Sequence, residues 1–182
     1  FIGLSLTLVT LTILITLLLI LIVFGLIESK SHYATISTIP IRVHVNGTRG
    51  KSSVTRLIAA GLRGGGIKTF AKTTGSSPRF IDGLGDDHII ERFRPASIGE
   101  QIRMISRFAK DKPEAIVMEC MAVQPDYQWI SEHKMVRSQI GVITNIRPDH
   151  VDEMGYSVED ITRSLCNSIP KEGTLVTTTG PT

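Results

Sequence analysis

An α/β fold with a mostly parallel sheet, helices on both of its faces and one transmembrane helix ahead of it is predicted by three observations. Strand-like and helix-like patterns alternate from residue 41 onward, which calls for crossover connections and hence parallel pairing. The run Ala115-Ile116-Val117-Met118 is wholly apolar, as in a strand covered on both faces. Residues 1–27 carry no charge and consist mostly of Leu, Ile, Val and Thr.

The N-terminal run comes first. As a helix it would reach about 40 Å, more than the ~30 Å hydrocarbon core of a bilayer, so it can span with some tilt. Its length exceeds the apolar region of a secretory signal, and Glu28-Ser29-Lys30 offers no small-residue cleavage pattern. A permanent single-pass anchor over residues 1–27 is the expectation. Lys30, His32 and Arg42 follow it, which places the C-terminal side in the cytoplasm. Residues 28–40 read as a short linker ending at Pro40. The chain begins at Phe1 rather than Met and stops just after a strand-like run, which points to a longer parent protein.

One ATP-binding domain is expected over residues 41–182. Residues 41–45 are strand-like, and Val54, Leu57, Ile58 and Leu62 form a helical stripe over residues 51–63, stopped by Gly64-Gly65-Gly66. A second strand is expected over 67–71, then a polar, Gly-rich stretch from Thr73 to about Pro95. Ile98, Ile102, Ile105 and Phe108 predict a helical face closed by Lys112-Pro113. After the buried strand at 115–118 come a helix at 126–136 and a strand at 140–144. A helix capped by Ser157 and Asp160 should run to Ile169, and the last strand lies at 175–177.

The net charge of +3 and pI near 9.0 come from scattered Lys and Arg. Without a basic stripe and interleaved aromatics, a nucleic-acid partner is not expected. Cys120 and Cys166 fit no metal or redox spacing and read as buried, reduced thiols.

The central motif is Gly47-Thr48-Arg49-Gly50-Lys51-Ser52-Ser53, set between a strand and a helix. Glycines let backbone N–H groups approach phosphate oxygens, and the following helix N-terminus adds positive potential. Lys51 can reach the β- and γ-phosphates of a nucleotide, and Ser52 can offer its hydroxyl to Mg²⁺. Val45 stands where the longer G-x-x-x-x-G-K-[ST] form has glycine, so the compact G-T-x-G-K-[ST] form is the one that fits. Glu119 ends the buried strand and should project at the carboxyl edge of the sheet as a metal ligand. Asn145, Asp149, His150 and Asp152 follow the next strand. His150 is a candidate ligand, with Asp149 either orienting it or capping the next helix. His44 reads as a packed histidine, and His32, His88 and His133 lack supporting context. Lys72-Thr73-Thr74-Gly75-Ser76-Ser77-Pro78-Arg79 also starts at a strand end. Its hydroxyls and two cations, Lys72 and Arg79, suit a carboxylate or phosphate.

These motifs, in this order, resemble the central ATPase domain of the Mur ligase superfamily, of which folylpolyglutamate synthetase is a member. The likeness rests on Val45-Asn46-Gly47-Thr48-Arg49-Gly50-Lys51-Ser52, Lys72-Thr73-Thr74-Gly75, Glu119-Cys120-Met121-Ala122-Val123-Gln124-Pro125-Asp126-Tyr127 and the 144–152 cluster. Together with the apolar N-terminus it points, within that superfamily, to the poly-γ-glutamate synthase subunits. The resemblance implies an ATP-dependent amide ligase that activates a glutamate γ-carboxyl as an acyl phosphate and joins it to the amine of another glutamate. Under it, Lys51 steadies the γ-phosphate, Ser52 and Glu119 hold one Mg²⁺, His150 with Glu119 bears on a second, and Asn145 lies close to the nucleotide. It also implies a poly-γ-glutamate chain as substrate and product, with partner membrane subunits for synthesis and export. On the residues alone, a membrane-tethered P-loop ATPase or kinase serving polymer export, or a non-catalytic nucleotide-binding assembly module, shares Lys51 and Ser52.

Overall fold

The computed structural model describes residues 2–75, 77–92 and 96–178. Ser76 of the 72–79 stretch and Pro95, the expected end of the Gly-rich stretch, lie outside them.

Helix α1 spans Ile2–Ser37. The stretch expected to be a linker therefore continues the helix, because Leu26, Ile27, Glu28, Lys30 and Ala34 are helix-compatible and nothing breaks the chain before Pro40. Its Thr7–Ser37 stretch is apolar and long enough to cross a membrane, with side chains exposed from Thr7 through Ile27. Its last turn behaves differently. Ile36 and Ile39 just beyond it are buried, and the His32 imidazole bonds to the Met135 carbonyl oxygen at 2.7 Å through Nε2. The helix thus ends inside the domain rather than beside it.

Seven strands form one sheet in the order β4-β3-β2-β5-β1-β6-β7. They are β1 (Ile41–Asn46), β2 (Thr69–Thr73), β3 (Arg79–Ile81), β4 (Asp87–Ile89), β5 (Ala115–Glu119), β6 (Ile140–Ile143) and β7 (Thr174–Thr177). The five strands β2, β5, β1, β6 and β7 are parallel, as the alternating pattern predicts. Strands β3 and β4 are antiparallel and were hidden in the polar stretch. Their hairpin is closed by Asp82, whose Oδ1 accepts from the backbone N–H groups of Leu84, Gly85 and Asp86.

The parallel core is covered on both faces. Helix α2 (Lys51–Gly64) packs on one, where Val43, Val45, Ala71 and Val117 meet Ala59, Val54 and Ile58. On the other, α3 (Glu100–Ala109) and the end of α1 bury Ile36, Phe70, Met104, Ile105, Phe108, Ile116 and Met118. The α3 face is turned from the expected one: Met104, Ile105 and Phe108 are buried, while Ile98 and Ile102 are only half-buried. Helix α4 (Pro125–Ile130) continues as a π-helical segment, Ser131–Val136, and ends on Arg137 in the left-handed region, φ 50°. A short α5 (Val151–Met154) precedes α6 (Val158–Cys166), whose start is the expected Ser157/Asp160 capping box. It ends at Cys166, short of Ile169. Cys120 is buried as expected, but Cys166 is exposed, because α6 packs through Ile161, Ser164 and Leu165.

Candidate nucleotide site

The phosphate loop, Glu119 and Asn145 of the expected site meet at the carboxyl edge of the sheet. Strand β1 delivers Gly47 with φ 130°, and a Cβ there would collide with the hydroxyl and backbone nitrogen of Thr144. Only glycine lets the loop lie this close to the β6 end. Gly50 sits at the N-cap of α2 with φ 78°, and no side chain caps that helix. The first-turn N–H groups of α2 are thus left for a ligand.

The Lys51 ammonium donates to the Gly47 and Thr48 carbonyl oxygens at 2.7 and 3.4 Å, which leaves its third N–H unused. Asn145 braces the loop from the β6 side. Its Oδ1 accepts from Thr48 Oγ1 at 2.7 Å and Arg49 N at 3.2 Å, while its Nδ2 donates to Arg49 O at 2.9 Å. Thr144 Oγ1 donates to the same Arg49 carbonyl, and Arg147 N donates to Thr48 Oγ1. Thus Asn145 shapes the loop with both ends of its amide. No hydrogen bond is formed by the Ser53 side chain among the described residues.

Glu119 ends β5 as expected and faces α2. Its Oε2 accepts from Ser52 Oγ and from Thr74 N, both at 2.8 Å. It is 3% exposed and makes no salt bridge among the described residues. A buried carboxylate held only by a hydroxyl and an N–H is short of positive charge. Together with Ser52 it offers the hard oxygen donors that Mg²⁺ prefers, with phosphate and water to complete the shell. No cluster of three or more His, Cys, Asp or Glu suited to a metal forms among the described residues.

His150 departs from expectation. It is exposed, its backbone is left-handed at φ 49°, and its ring makes no hydrogen bond to Glu119 or Ser52. Asp149 neither orients that ring nor caps α5 with its side chain. Its carboxylate takes the His150 backbone N–H and pairs with Arg49 Nε at 2.9 Å. The 72–79 stretch also departs. Lys72 is fully buried on the α3 face, its Nζ 2.9 Å from Glu100, and Thr73 is buried. Arg79 faces Asp87 at 3.5 Å. Of that stretch, Thr74 reaches the site through its backbone N–H, and Gly75 lies beside Ser52, where an added Cβ would stand 3.4 Å from Ser52 Oγ.

Two supports were missed in the sequence. Gln101, wholly buried, donates from Nε2 to the Glu119 carbonyl at 2.9 Å. Asn46, one residue before the loop, donates to Gln128 Oε1 and Ser168 Oγ, while Gln128 donates to Ser164 Oγ, so β1, α4 and α6 share one polar junction. Gln101, Gln128, Ser164 and Ser168 belong to no motif. Only the fold pairs them. His44 is packed, as expected, with Nδ1 2.8 Å from Glu132. Burial alone would lower its pKa, but the Cys120 thiol and Glu132 carboxylate beside it raise it to about 9.

A profile of the Mur ligase middle domain matches residues 45–179, the span that holds the loop, Glu119 and the Asn145 brace. This chain belongs to the Mur ligase family. Capsule biosynthesis protein CapB of Bacillus anthracis is 43% identical over 158 residues, covering 86% of this chain and 34% of that protein. PGA synthase CapB of Bacillus subtilis (strain 168) is 40% identical over 159 residues, covering 86% and 40%. The chain therefore spans well under half the length of the curated relatives it matches. Among solved structures, E. coli FolC with ADP superposes with a TM-score of 0.61 at 15% identity, over 82% of this chain and 40% of that one. A bifunctional folylpolyglutamate synthase/dihydrofolate synthase with Mn, AMPPNP and L-glutamate bound gives 0.57 at 17%, with the same coverage. At these identities the likeness is one of fold, and it fits a Mur ligase middle domain with its strand ends gathered around the loop.

Proposed function

We propose that this chain carries the ATP-binding part of a membrane-anchored amide ligase. The ligase activates a glutamate γ-carboxyl as an acyl phosphate and joins it to the amine of another glutamate, extending poly-γ-glutamate. The observation that carries this reading is the Ser52–Glu119 pair beside Lys51, a buried carboxylate and hydroxyl without a cation partner at the end of a phosphate loop. Family membership and the two CapB relatives support ligation over plain hydrolysis.

In this reading, Lys51 and the α2 N-terminus hold the phosphates of ATP, and Ser52 and Glu119 hold Mg²⁺. Bound MgATP supplies the phosphoryl group that turns a carboxylate into an acylating agent. The chain's own contribution is positioning and charge neutralisation. Asn145 ties down the Thr48 N–H and both backbone groups of Arg49, which leaves the first-turn N–H groups of α2 and Lys51 to face the ligand. To serve a second metal, the exposed His150 ring would have to turn toward Glu119 once nucleotide is present. Residues 1–27 anchor the enzyme, with residues 41–182 on the cytoplasmic side where ATP is found. Membrane partner subunits take the polymer outward.

The test uses the full-length protein with its membrane partners, ATP and glutamate. ADP together with a γ-linked polymer is the expected result, and both should vanish in Lys51→Ala. ADP without polymer would replace the ligase by a tethered ATPase, and nucleotide binding without either product would leave only an assembly module.

A further inference from the structure

At the edge of the sheet opposite the nucleotide loop lies a cavity of about 560 Å³. Arg42 near the start of β1, Gln139 just before β6 and Glu172 just before β7 line it, which fixes it at the amino edge. Its other wall is α1 itself, through Ser29, His32 and Tyr33. The uncharged run ends at Ile27. At 1.5 Å per residue, Ser29 and Tyr33 stand roughly 3 to 9 Å beyond it. The headgroup layer on each side of a hydrocarbon core is about 5–8 Å deep.

The charge in this cavity is unbalanced. Arg42, Lys134, Arg137 and Lys171 face it, and none makes a salt bridge among the described residues. Instead, the Arg137 guanidinium lies 4.2 Å from the Tyr33 ring centre, and the Lys134 ammonium 5.4 Å from that of Trp129. Two acids are present. Glu132 is already engaged by His44 and by the backbone and hydroxyl of Ser138, and Glu172 is exposed. His32, only 7% exposed, has its Nδ1 buried without a partner. Burial chiefly, and then the neighbouring Arg137 charge, lower the Arg42 pKa, against Glu132 and Tyr33, which raise it. Tyr and Trp beside a basic cluster next to a membrane span are what an interfacial headgroup site requires.

We propose that this cavity binds the headgroup of an anionic phospholipid, which seats the domain against the bilayer with its nucleotide loop facing away. The phosphate takes the place of the missing counter-charge for Arg42 and Arg137, and the exposed Lys134 and Lys171 close over it. The proposal rests on the reading of residues 1–27 as a membrane anchor. A carboxylate polymer is a poorer occupant, because the site of polymer chemistry lies at the opposite edge of the sheet.

Trp129 is the one tryptophan of these 182 residues and lines the cavity, so the difference in emission between the protein and its Trp129→Phe variant reports the cavity. The full-length protein is placed in nanodiscs of phosphatidylcholine with increasing phosphatidylglycerol, and the emission is followed. A saturable shift that depends on phosphatidylglycerol is expected. Lys134→Gln and Lys171→Gln, both exposed and remote from the nucleotide loop, should each move the midpoint about fivefold while ATP binding stays unchanged. Arg42→Gln with Arg137→Gln should abolish saturation. Equal emission in both lipids would overturn the proposal. The same shift produced by inorganic phosphate or soluble polyglutamate in pure phosphatidylcholine would overturn it too, by naming a soluble anion instead. Alkaline extraction of membranes separates the two readings. If the protein is released, the anchor and the lipid site both fall. If it stays while Trp129 ignores the lipid, only the lipid site falls.

Discussion

Glu119 and Glu100 are buried to nearly the same degree, 3% and 4% exposed, and stand on opposite faces of the same part of the sheet. Glu100 is gripped by Arg92 through Nε at 2.7 Å and Nη2 at 3.0 Å, and by Lys72 at 2.9 Å. Glu119 has a hydroxyl and one backbone N–H, and no salt bridge among the described residues; the Lys72 charge acts on it only without contact. The difference separates two uses of a buried carboxylate. With its counter-charges built into the chain, Glu100 ties β2, α3 and the residues before α3 together. Without them, Glu119 is where the proposed ligase would place a cation that arrives with its nucleotide. Burial alone would have ranked the two equally as site candidates; the missing counter-charge distinguishes them.

Glu100→Gln should have the largest effect on stability. It leaves Lys72 and Arg92 without their carboxylate, a loss of about 3–5 kcal/mol in chemical denaturation. Replacing Lys72 by Met in the same protein should restore much of it. Glu119→Gln should do the reverse. Its melting temperature should hold or rise, since an uncompensated buried charge is removed, while ATP turnover falls on the order of 10²–10³-fold. If Glu119→Gln unfolds the protein, or Glu100→Gln only slows turnover, the division of roles is wrong.

Glu100 and the buried His44 also give stability a pH dependence. Burial would raise the Glu100 carboxyl, but the Arg92 hydrogen bond and the Lys72 charge hold it at about 2, against 4.5 in the unfolded chain. Its contribution is therefore complete above pH 4.5 and is lost as pH falls toward 2. His44, raised to about 9 from 6.5, contributes fully below pH 6.5, and its share is lost as pH rises through 9. Stability should thus decline on both sides. Glu100→Gln should flatten the acid limb and His44→Gln the alkaline one, as read from denaturation midpoints across pH.

The phosphate loop was legible in the sequence because its chemistry is local: a strand, two glycines, a lysine and a serine within a few residues. Glu119 was legible because an apolar strand has a readable end. The parallel order followed from alternation, but β3 and β4 did not, since strands of three residues carry too little pattern to stand out from a polar stretch. Lys72 and Arg79 look like ligand contacts in sequence, and only the fold shows Lys72 turned to the α3 face and Arg79 turned to Asp87. His150 was legible as a residue at the right strand end, not as one whose ring stands away from Glu119. Polar linker composition concealed that α1 runs on to Ser37, although its residues are helix-compatible up to Pro40, and Ile36 at its end joins the core cluster that holds Phe70 and Phe108.

Gln101 offers the smallest effect and the finest distinction, because it touches both regions. It follows Glu100 in the first turn of α3, and its Nε2 holds the Glu119 carbonyl from the far face. Gln101→Leu keeps the size but leaves that carbonyl buried and unpaired, at about 1–3 kcal/mol. If α3 acts as a clamp on the metal carboxylate, the variant should also need more Mg²⁺ for half-maximal ATP turnover, while Glu100→Gln, examined where it remains folded, should not. Gln101→Glu, which can accept but not donate when ionised, should behave like the leucine variant. An unchanged Mg²⁺ requirement in both variants would mean that the strut and the cation place are independent, and that the shared first turn of α3 only fills space.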